Sequence, residues 1–443
     1  MARIAIIGTG ISGLGTAYLL HPHHDITVYE KAPRIGGHTR TVTVDYDGVK
    51  IPVDTGFIVF NPKNYPHLTA LFRHLEVPTH KSDMSFAATI RDGWLEWGAQ
   101  DTNTVFGQRR NILRPRFLHL IGDVLRFNRD AQAAAERHPG FSLEELLSHL
   151  QLGDWFKRYY LLPMAGAIWS CPPAEMLRFP ALSLIRFFVN HHLMSASGQP
   201  QWYTVTGGAQ EYARRLTAPF AGRIRVNCGA VSVTRGESGV TVRDAQGGCE
   251  VYDDVVMASH GDETLTLLQD ASAEERAILS CFRYQKNRAV LHRDESFMPR
   301  RRRCWASWVY ESDGGYHPKI TVTYWMNRLQ GLDPARPLFV SLNPKREIAK
   351  DMVFDEAEFD HPMFDAAAIA AQPKVASLQG QRRTWFAGAY LGHGFHEDGL
   401  ASAVAVAKGF GVDTPWRQST ASQGSEGALQ PLTLPGRLLP QPA

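Results

Sequence analysis

Residues Arg3 to Ile7 form a β-branched, apolar run, the pattern of a strand buried on both faces of a parallel sheet. Four glycines at 8, 10, 13 and 15 follow at once, Leu14 to Leu20 reads as a helix, and Asp25 to Tyr29 reads as a second strand. From about residue 62 to 200 apolar positions recur every three or four residues, as at Phe117, Leu120, Ile121, Val124 and Leu125, which predicts a largely helical cap. Alternation returns at Arg223 to Val226, at Gly229 to Val233 and at Val240 to Val242, with a turn over Gly236 to Gly239, and Asp254 to Ser259 reads as a buried strand. Four further runs, Arg288 to His292, Ala306 to Tyr310, Ile320 to Trp325 and Phe339 to Leu342, predict an antiparallel sheet rich in Trp and Tyr. Its Trp305, Trp308, Tyr310, Tyr324 and Trp325 line an apolar tunnel or fill the sheet core, the second being the simpler reading. Strand, glycine-rich turn and helix recur from Trp385 to Ala403, and residues 412–443, rich in Ser, Gly, Gln and Pro, predict a disordered tail.

Composition narrows the class. The 443 residues exceed one ordinary core, so two domains are expected. A net charge of +3 is too mild for a nucleic-acid partner. Five cysteines show no pair at zinc or redox spacing, which points to a reducing cytoplasmic setting without metal. His21, His23 and His24 lack acidic or Cys partners and read as a surface turn. No apolar run is long enough to span a bilayer. Two basic stretches, Arg114 with Arg116 and Arg300 to Arg303, admit contact with an anionic membrane face or an acidic acyl carrier; solvated edges are the simpler reading.

The first glycine turn carries the first chemistry. Gly8 permits the tight turn, Gly10 lets the main chain approach a pyrophosphate, and Gly13 lets the helix pack on the strand. Ile11 and Ser12 open that helix, whose N-terminus offers N–H groups and dipole to phosphate. Glu30 ends the second strand about twenty residues beyond the second glycine, where a carboxylate accepts from ribose hydroxyls and disfavours a 2′-phosphate, leaving FAD or NAD.

Three stretches then resemble the flavin amine oxidase superfamily: Glu30-Lys31-Ala-Pro-Arg34-Ile-Gly36-Gly37-His38-Thr39, Val53-Asp54-Thr55-Gly56-Phe57, and Gly388 to Ala403 with its Phe395-His396-Glu397-Asp398-Gly399-Leu400 run. The Gly207-Gly208 turn resembles the superfamily's return from the substrate domain. The resemblance implies an α/β fold: a Rossmann-type FAD-binding domain built from 1–61, 206–260 and 381–411, interleaved with an α+β substrate domain from 62–205 and 261–380. It also implies FAD contacts from Lys31, Arg34, Gly37, His38, Thr39, Gly56, Phe57, Gly388 and Ala403, from the main chain at Val231 beside the adenine, and from the N–H groups of Asp398, Gly399 and Leu400 on the flavin ring. His38 stands where the family often has Arg, which leaves main-chain contacts to serve the phosphate. No cysteine follows Cys304, so non-covalent FAD is expected.

Stretches such as Ala167 to Ser170 and Phe187 to His191 further resemble a bacterial subgroup found beside cyclopropane-fatty-acyl synthase relatives. That likeness favours hydride removal from a fatty-acyl or lipid chain by a desaturase or double-bond isomerase. An amine oxidase and a flavin-bearing assembly factor without turnover stay open, as does the oligomeric state. His396 matches a cage position of amine oxidases and, with His393, is a proton-handling candidate. Asn287 or Arg288 begins the strand where those enzymes keep a lysine, and Lys286 is offset from that point.

Overall fold

The computed structural model describes residues 1–169, 176–194, 199–315 and 321–416. A five-stranded parallel sheet, in the order Ile224–Arg225, Asp25–Tyr29, Arg3–Ile7, Asp254–Met257, Thr384–Phe386, is assembled from four separated parts of the chain. Side-chain alternation along Arg3–Ile7 divides the core in two. Ile4 and Ile6 face the helices Ile11–Leu20, Pro66–His74, Gln210–Thr217 and His396–Gly409. Ala5 and Ile7 face a three-stranded antiparallel sheet with Val233 and Val242, and the helices Ala273–Leu279 and Ala366–Ala371.

The cores therefore divide the chain differently from the expected boundaries. Residues 66–77, 261–282 and 368–378 supply the apolar faces that cover the parallel sheet, so they pack with it. Val412 and Trp416 are buried against the same core, so the packed chain runs past 411 into the segment expected to be a tail; 417–443 lies outside the described residues, as do Ser170 and Cys171.

A seven-stranded sheet in the order Val353–Met363, Arg283–His292, Phe339–Leu342, Thr321–Trp325, Trp308–Ser312, Phe86–Ile90, Leu95–Gly98 forms the second domain. It is mixed rather than antiparallel, because Trp308–Ser312 runs parallel to Phe86–Ile90. The hairpin Phe86–Ile90/Leu95–Gly98 interrupts the stretch expected to be helical; its turn carries positive φ at Arg91, Asp92 and Gly93. Helices Pro115–Arg137, Leu143–His149 and Ala181–Asn190 make a separate core around Phe127, Leu146, Phe156 and Leu184.

Arg235 fastens the small antiparallel sheet to the parallel one. Its guanidinium, 2% exposed, bonds Asp270 at 2.9 Å, Glu275 at 2.6 Å and the Thr384 hydroxyl at 3.2 Å. Arg235→Met leaves the Glu275 carboxylate, itself 4% exposed, with Ser272 N at 2.6 Å and Arg382 at 3.6 Å, and is expected to cost about 3 kcal/mol in a denaturant titration. Adding Glu275→Leu should restore much of that loss; an unchanged midpoint in the single variant would show that the pair is dispensable.

Candidate active site

The glycine turn is shaped for phosphate. Gly8 adopts φ +108°, and a Cβ on Gly13 would overlap the Gly8 carbonyl, so these two positions are closed to side chains. Beside Gly10, by contrast, nothing lies within 4 Å of where a Cβ would stand. Gly37, at φ +56°, brings its own Cβ position to 3.1 Å from the Gly10 Cα, so the paired-glycine loop roofs the first turn. Gly36 N donates to Thr9 O at 3.0 Å, holding that roof. Glu30 accepts from Thr9 N at 3.1 Å, from the Thr9 hydroxyl, and from Ala32 N at 2.8 Å, which orients the carboxylate at the strand end.

Two helix N-termini converge here. A Cβ on Gly399 would stand 2.7 Å from Ile11 Cγ2 and 2.9 Å from Ser12 Oγ, and one on Gly15 would meet Leu400 and Ala403. Gly388 N donates to Ser402 Oγ at 2.9 Å, fixing the preceding turn. Gly399 N already donates to Phe395 O at 3.1 Å, so the helix's open first-turn donors are the N–H groups of His396, Glu397 and Asp398. Gly399 and Leu400 follow inside the helical ladder and pack closely on Ile11, Ser12 and Gly15. The Asp398 carboxylate caps Phe395 N at 2.8 Å. Glu397 caps another helix through His67 N at 2.8 Å and Leu68 N at 3.0 Å, and burial lifts its carboxyl to about 8.

The loop 34–40 pairs with 54–57. Phe57 N donates to His38 O at 2.8 Å, Thr55 N to Arg40 O at 2.9 Å, and Gly56 leaves no room for a side chain against His38 O. His396 does not stand out as one wall of a cage. Its ring stacks on Phe57 at 3.9 Å, and Nε2 lies 3.0 Å from Thr39 Oγ1 and 3.1 Å from the Tyr212 hydroxyl. Burial pushes its pKa to about 3, so the imidazole is neutral. Phe395 instead faces outward from the turn, stacked at 5.5 Å on Phe187, which also carries His191 at 3.9 Å and His393 at 5.6 Å. The structure thus separates His393 from His396.

A histidine cluster faces the paired-glycine loop. The His38 ring lies 5.4 Å from His361, 5.1 Å from Phe359 and 6.2 Å from His260. Its Nε2 is buried with no partner among the described residues, and burial with the neighbouring rings drives its pKa well below the usual value. Asn287, fully buried, donates to His361 Nδ1 at 2.8 Å and to Gln285 O at 3.1 Å, while its Oδ1 accepts from Asn343 at 2.7 Å. That network fixes the Asn287 amide, and it places the His361 proton on Nε2 of a neutral ring whose pKa burial lowers to about 4.

Arg288 points the other way: exposed, it pairs with Glu356 at 2.8 Å, because successive residues of a strand face opposite sides. Lys31 is likewise exposed and pairs with Glu263, and Arg34 reaches the Thr39 carbonyl at 3.4 Å. Val231 is 53% exposed beside the bulge at 230–232, on the segment whose Asn227 N and Cys228 N bond Ala32 O and Glu30 O. The Arg300 to Arg303 run is largely neutralised, by Asp92, by the fully buried Glu96 at 2.7 Å from Arg301, and by Glu295. His260 and His361 are the site residues that sequence reasoning missed. A period-2 signal was present for the second, since Ala357, Phe359 and His361 alternate with Glu356, Glu358 and Asp360.

Strand register carries this face across the sheet, where Ala289, Leu291, Val340 and Phe359 join a buried core with Val44, Ile51 and Val53. Asn287, Phe359 and His361 share a sheet face with Ala289, Leu291, Val340, Tyr324, Trp308 and Phe86. From the Asn287 strand to the Trp308 strand is three strand spacings, about 14 Å. Trp308 and Tyr324 meet edge to face at 4.9 Å and keep some accessible surface, whereas Trp305 and Tyr310 are core residues.

An open glycine turn under a glycine roof, a carboxylate at the end of the second strand and two converging helix N-termini make a dinucleotide-type site in a two-domain fold. The chain belongs to the flavin containing amine oxidoreductase family, whose model matches residues 11–300, and that membership implies a flavin cofactor. In fold it is similar to a CLA-producing fatty acid isomerase from P. acnes, at 16% identity and TM-score 0.63 over 92% of this chain and 98% of that one. It is similar also to a putrescine oxidase bound to putrescine, at 14% and 0.64 over 92% and 98%, and to cyclohexylamine oxidase from Brevibacterium oxydans, at 16% and 0.63 over 93% and 99%. No curated protein matches the sequence. Among the described residues no helix is long and apolar enough to cross a membrane.

Proposed function

We propose that this protein holds FAD non-covalently and removes hydride from a hydrophobic substrate, a fatty-acyl or lipid chain, as a desaturase or double-bond isomerase. What supports this reading is the apolar, half-buried setting of the site's histidines, which disfavours their charged forms. His38, His361, His396 and His191 are all kept uncharged by burial, Glu397 holds its proton near neutral pH, and the face beyond them is aliphatic and aromatic. An ammonium substrate would find neither an unshared carboxylate nor a paired aromatic cage at His396.

FAD, when bound, supplies the hydride acceptor. The chain's own residues exclude water, orient the substrate along the aromatic face, and handle one proton. His38 is the group assigned to that proton, because its Nε2 is buried with no partner among the described residues, whereas His396 Nε2 and His361 Nδ1 are engaged. Open first-turn N–H groups at His396 to Asp398 are placed to stabilise negative charge on an electron-rich ring.

Anaerobic bleaching of the yellow protein against unsaturated fatty acids, phospholipids, isoprenoid hydrocarbons and amines, with product masses, tests the reading. Bleaching or double-bond change with a lipid is expected, and His38→Asn should slow it by about 10²-fold or more while the flavin stays bound. Bleaching by amines alone would replace this proposal with an amine oxidase. Full flavin occupancy with no turnover on any class would favour an assembly factor.

A further inference from the structure

The surface around residues 109–125 combines two features. The first is exposed aliphatic surface. Leu113 is 85% exposed, Leu125 64%, Ile112 49% and Leu118 46%, and these are the exposed leucines and isoleucines of the described chain. Leu118, Gly122 and Leu125 follow one another at i, i+4 and i+7 on the helix Pro115–Arg137, so they line one outward stripe that continues Ile112 and Leu113. Phe117, Leu120 and Phe127 on the same helix are fully buried, so packing is satisfied without the exposed set.

The second feature is cationic charge held by neutral acceptors. Arg109 bonds the Asn103 amide oxygen and the Phe106 carbonyl, Arg110 the Trp94 carbonyl at 2.5 Å, and Arg114 the same carbonyl at 3.1 Å and Asn111 Oδ1 at 3.0 Å. Carbonyl and amide oxygens fix these guanidinium groups without cancelling their charge. Arg116 is exposed beside them. Elsewhere the arginines commonly meet carboxylates, as Arg300, Arg301 and Arg302 do close by. Burial, and then the nearby Arg110 and Arg301 cations, lower the affinity of Arg114 for a proton.

We propose that this surface docks on an anionic lipid bilayer, with Ile112, Leu113 and the Leu118–Leu125 stripe entering the headgroup–acyl boundary while Arg109, Arg110, Arg114 and Arg116 lie at the phosphates. The charge complementarity is that of a monotopic anchor: basic groups at the polar level and aliphatic side chains below them. A soluble acidic partner would use the arginines and leave Leu113 in water, which is why the bilayer is the occupant named. The inference stands on this surface alone and holds whatever the enzyme oxidises.

Flotation of the full-length, flavin-loaded chain with vesicles tests it, using phosphatidylcholine alone and phosphatidylcholine with about 30% phosphatidylglycerol. The protein is expected to float with the anionic vesicles and to be partly released by salt. Arg109→Gln, Arg110→Gln and Arg116→Gln should each lower partitioning about fivefold. Leu113→Ser with Leu118→Ser should lower it about tenfold or more, with flavin content and thermal midpoint unchanged. Arg302→Gln, which removes a cation already paired with Glu295, is the matched control and should float like the parent. Equal partitioning to both vesicle types, no flotation, or insensitivity to the leucine pair would overturn the proposal. So would loss of self-association in the leucine variant without any vesicle binding, which would make this face an interface between two copies.

Discussion

Replacing Gly10 with valine is expected to give a folded but colourless protein. Gly10 has φ −62° and ψ 175°, which any residue adopts, and no atom lies within 4 Å of where its Cβ would be. The substitution therefore meets no protein atom at its Cβ and fills only the space between the first glycine turn, the Gly37 roof and the two helix N-termini. That space is where a pyrophosphate must pass. Flavin affinity should fall by at least about a hundredfold, some 2.7 kcal/mol, while the thermal midpoint matches that of the flavin-free parent. Gly13→Ala is the contrasting control: its Cβ overlaps the Gly8 carbonyl, so it should lose solubility or cooperative unfolding along with colour. A Gly10→Val protein that stays yellow at full occupancy would move the cofactor away from this turn.

How much of this was legible in the sequence follows from what each segment had to satisfy. Arg3–Ile7 and Asp25–Tyr29 match their expected bounds residue for residue, because strands buried on both faces leave continuous apolar runs that end where glycine or acid begins. The hairpin at Phe86–Gly98 was hidden inside a helical stretch. Its strands are short, and its marker was the Asp92-Gly93 pair, a hairpin turn dipeptide. The strand Val353–Met363 was missed because its outward face is acidic and it contains Pro362, which an edge strand tolerates and a central one does not. With it went His361. The glycine motifs gave the cofactor contacts as main-chain positions, yet they carried no information about side-chain direction. His396 turning onto Phe57 and Tyr212 is a tertiary outcome, set by the Thr39 hydroxyl that the paired-glycine loop delivers. Pairing of the Arg300 to Arg303 run is also tertiary, since two of its partners, Asp92 and Glu96, lie some two hundred residues away in sequence.

Stability should peak near pH 6.5–7 and fall more steeply on the acid side. Burial holds six histidines below their unfolded value: His396 at about 3, His361, His191, His67 and His292 at about 4, and His38 well below normal. Between those values and about 6.5 the unfolded chain binds more protons than the folded one, so the stabilisation present above 6.5 is lost as pH falls. Each such histidine contributes up to about 1.4 kcal/mol per pH unit across that window. Four carboxyls act in the opposite sense, since burial also raises Asp398 and Glu311. Glu397 is lifted to about 8 and Asp54, which accepts from Thr41, Ala209 and Gln330, to about 7. Their contribution is complete at low pH and is lost as pH rises through 7 and 8. The six histidines outnumber the four carboxyls below 6.5, and the raised carboxyls oppose stability above it, so thermal scans of the flavin-loaded protein from pH 8.5 to 4.5 should trace an asymmetric dome. Glu397→Gln should flatten the alkaline limb, and His361→Asn should reduce the acid slope while Asn287 keeps its bond to Gln285. A midpoint that stays constant from pH 7 to 4.5 would mean that these imidazoles are solvated and charged. The neutral lining on which the hydrophobic-substrate reading rests would then be lost as well.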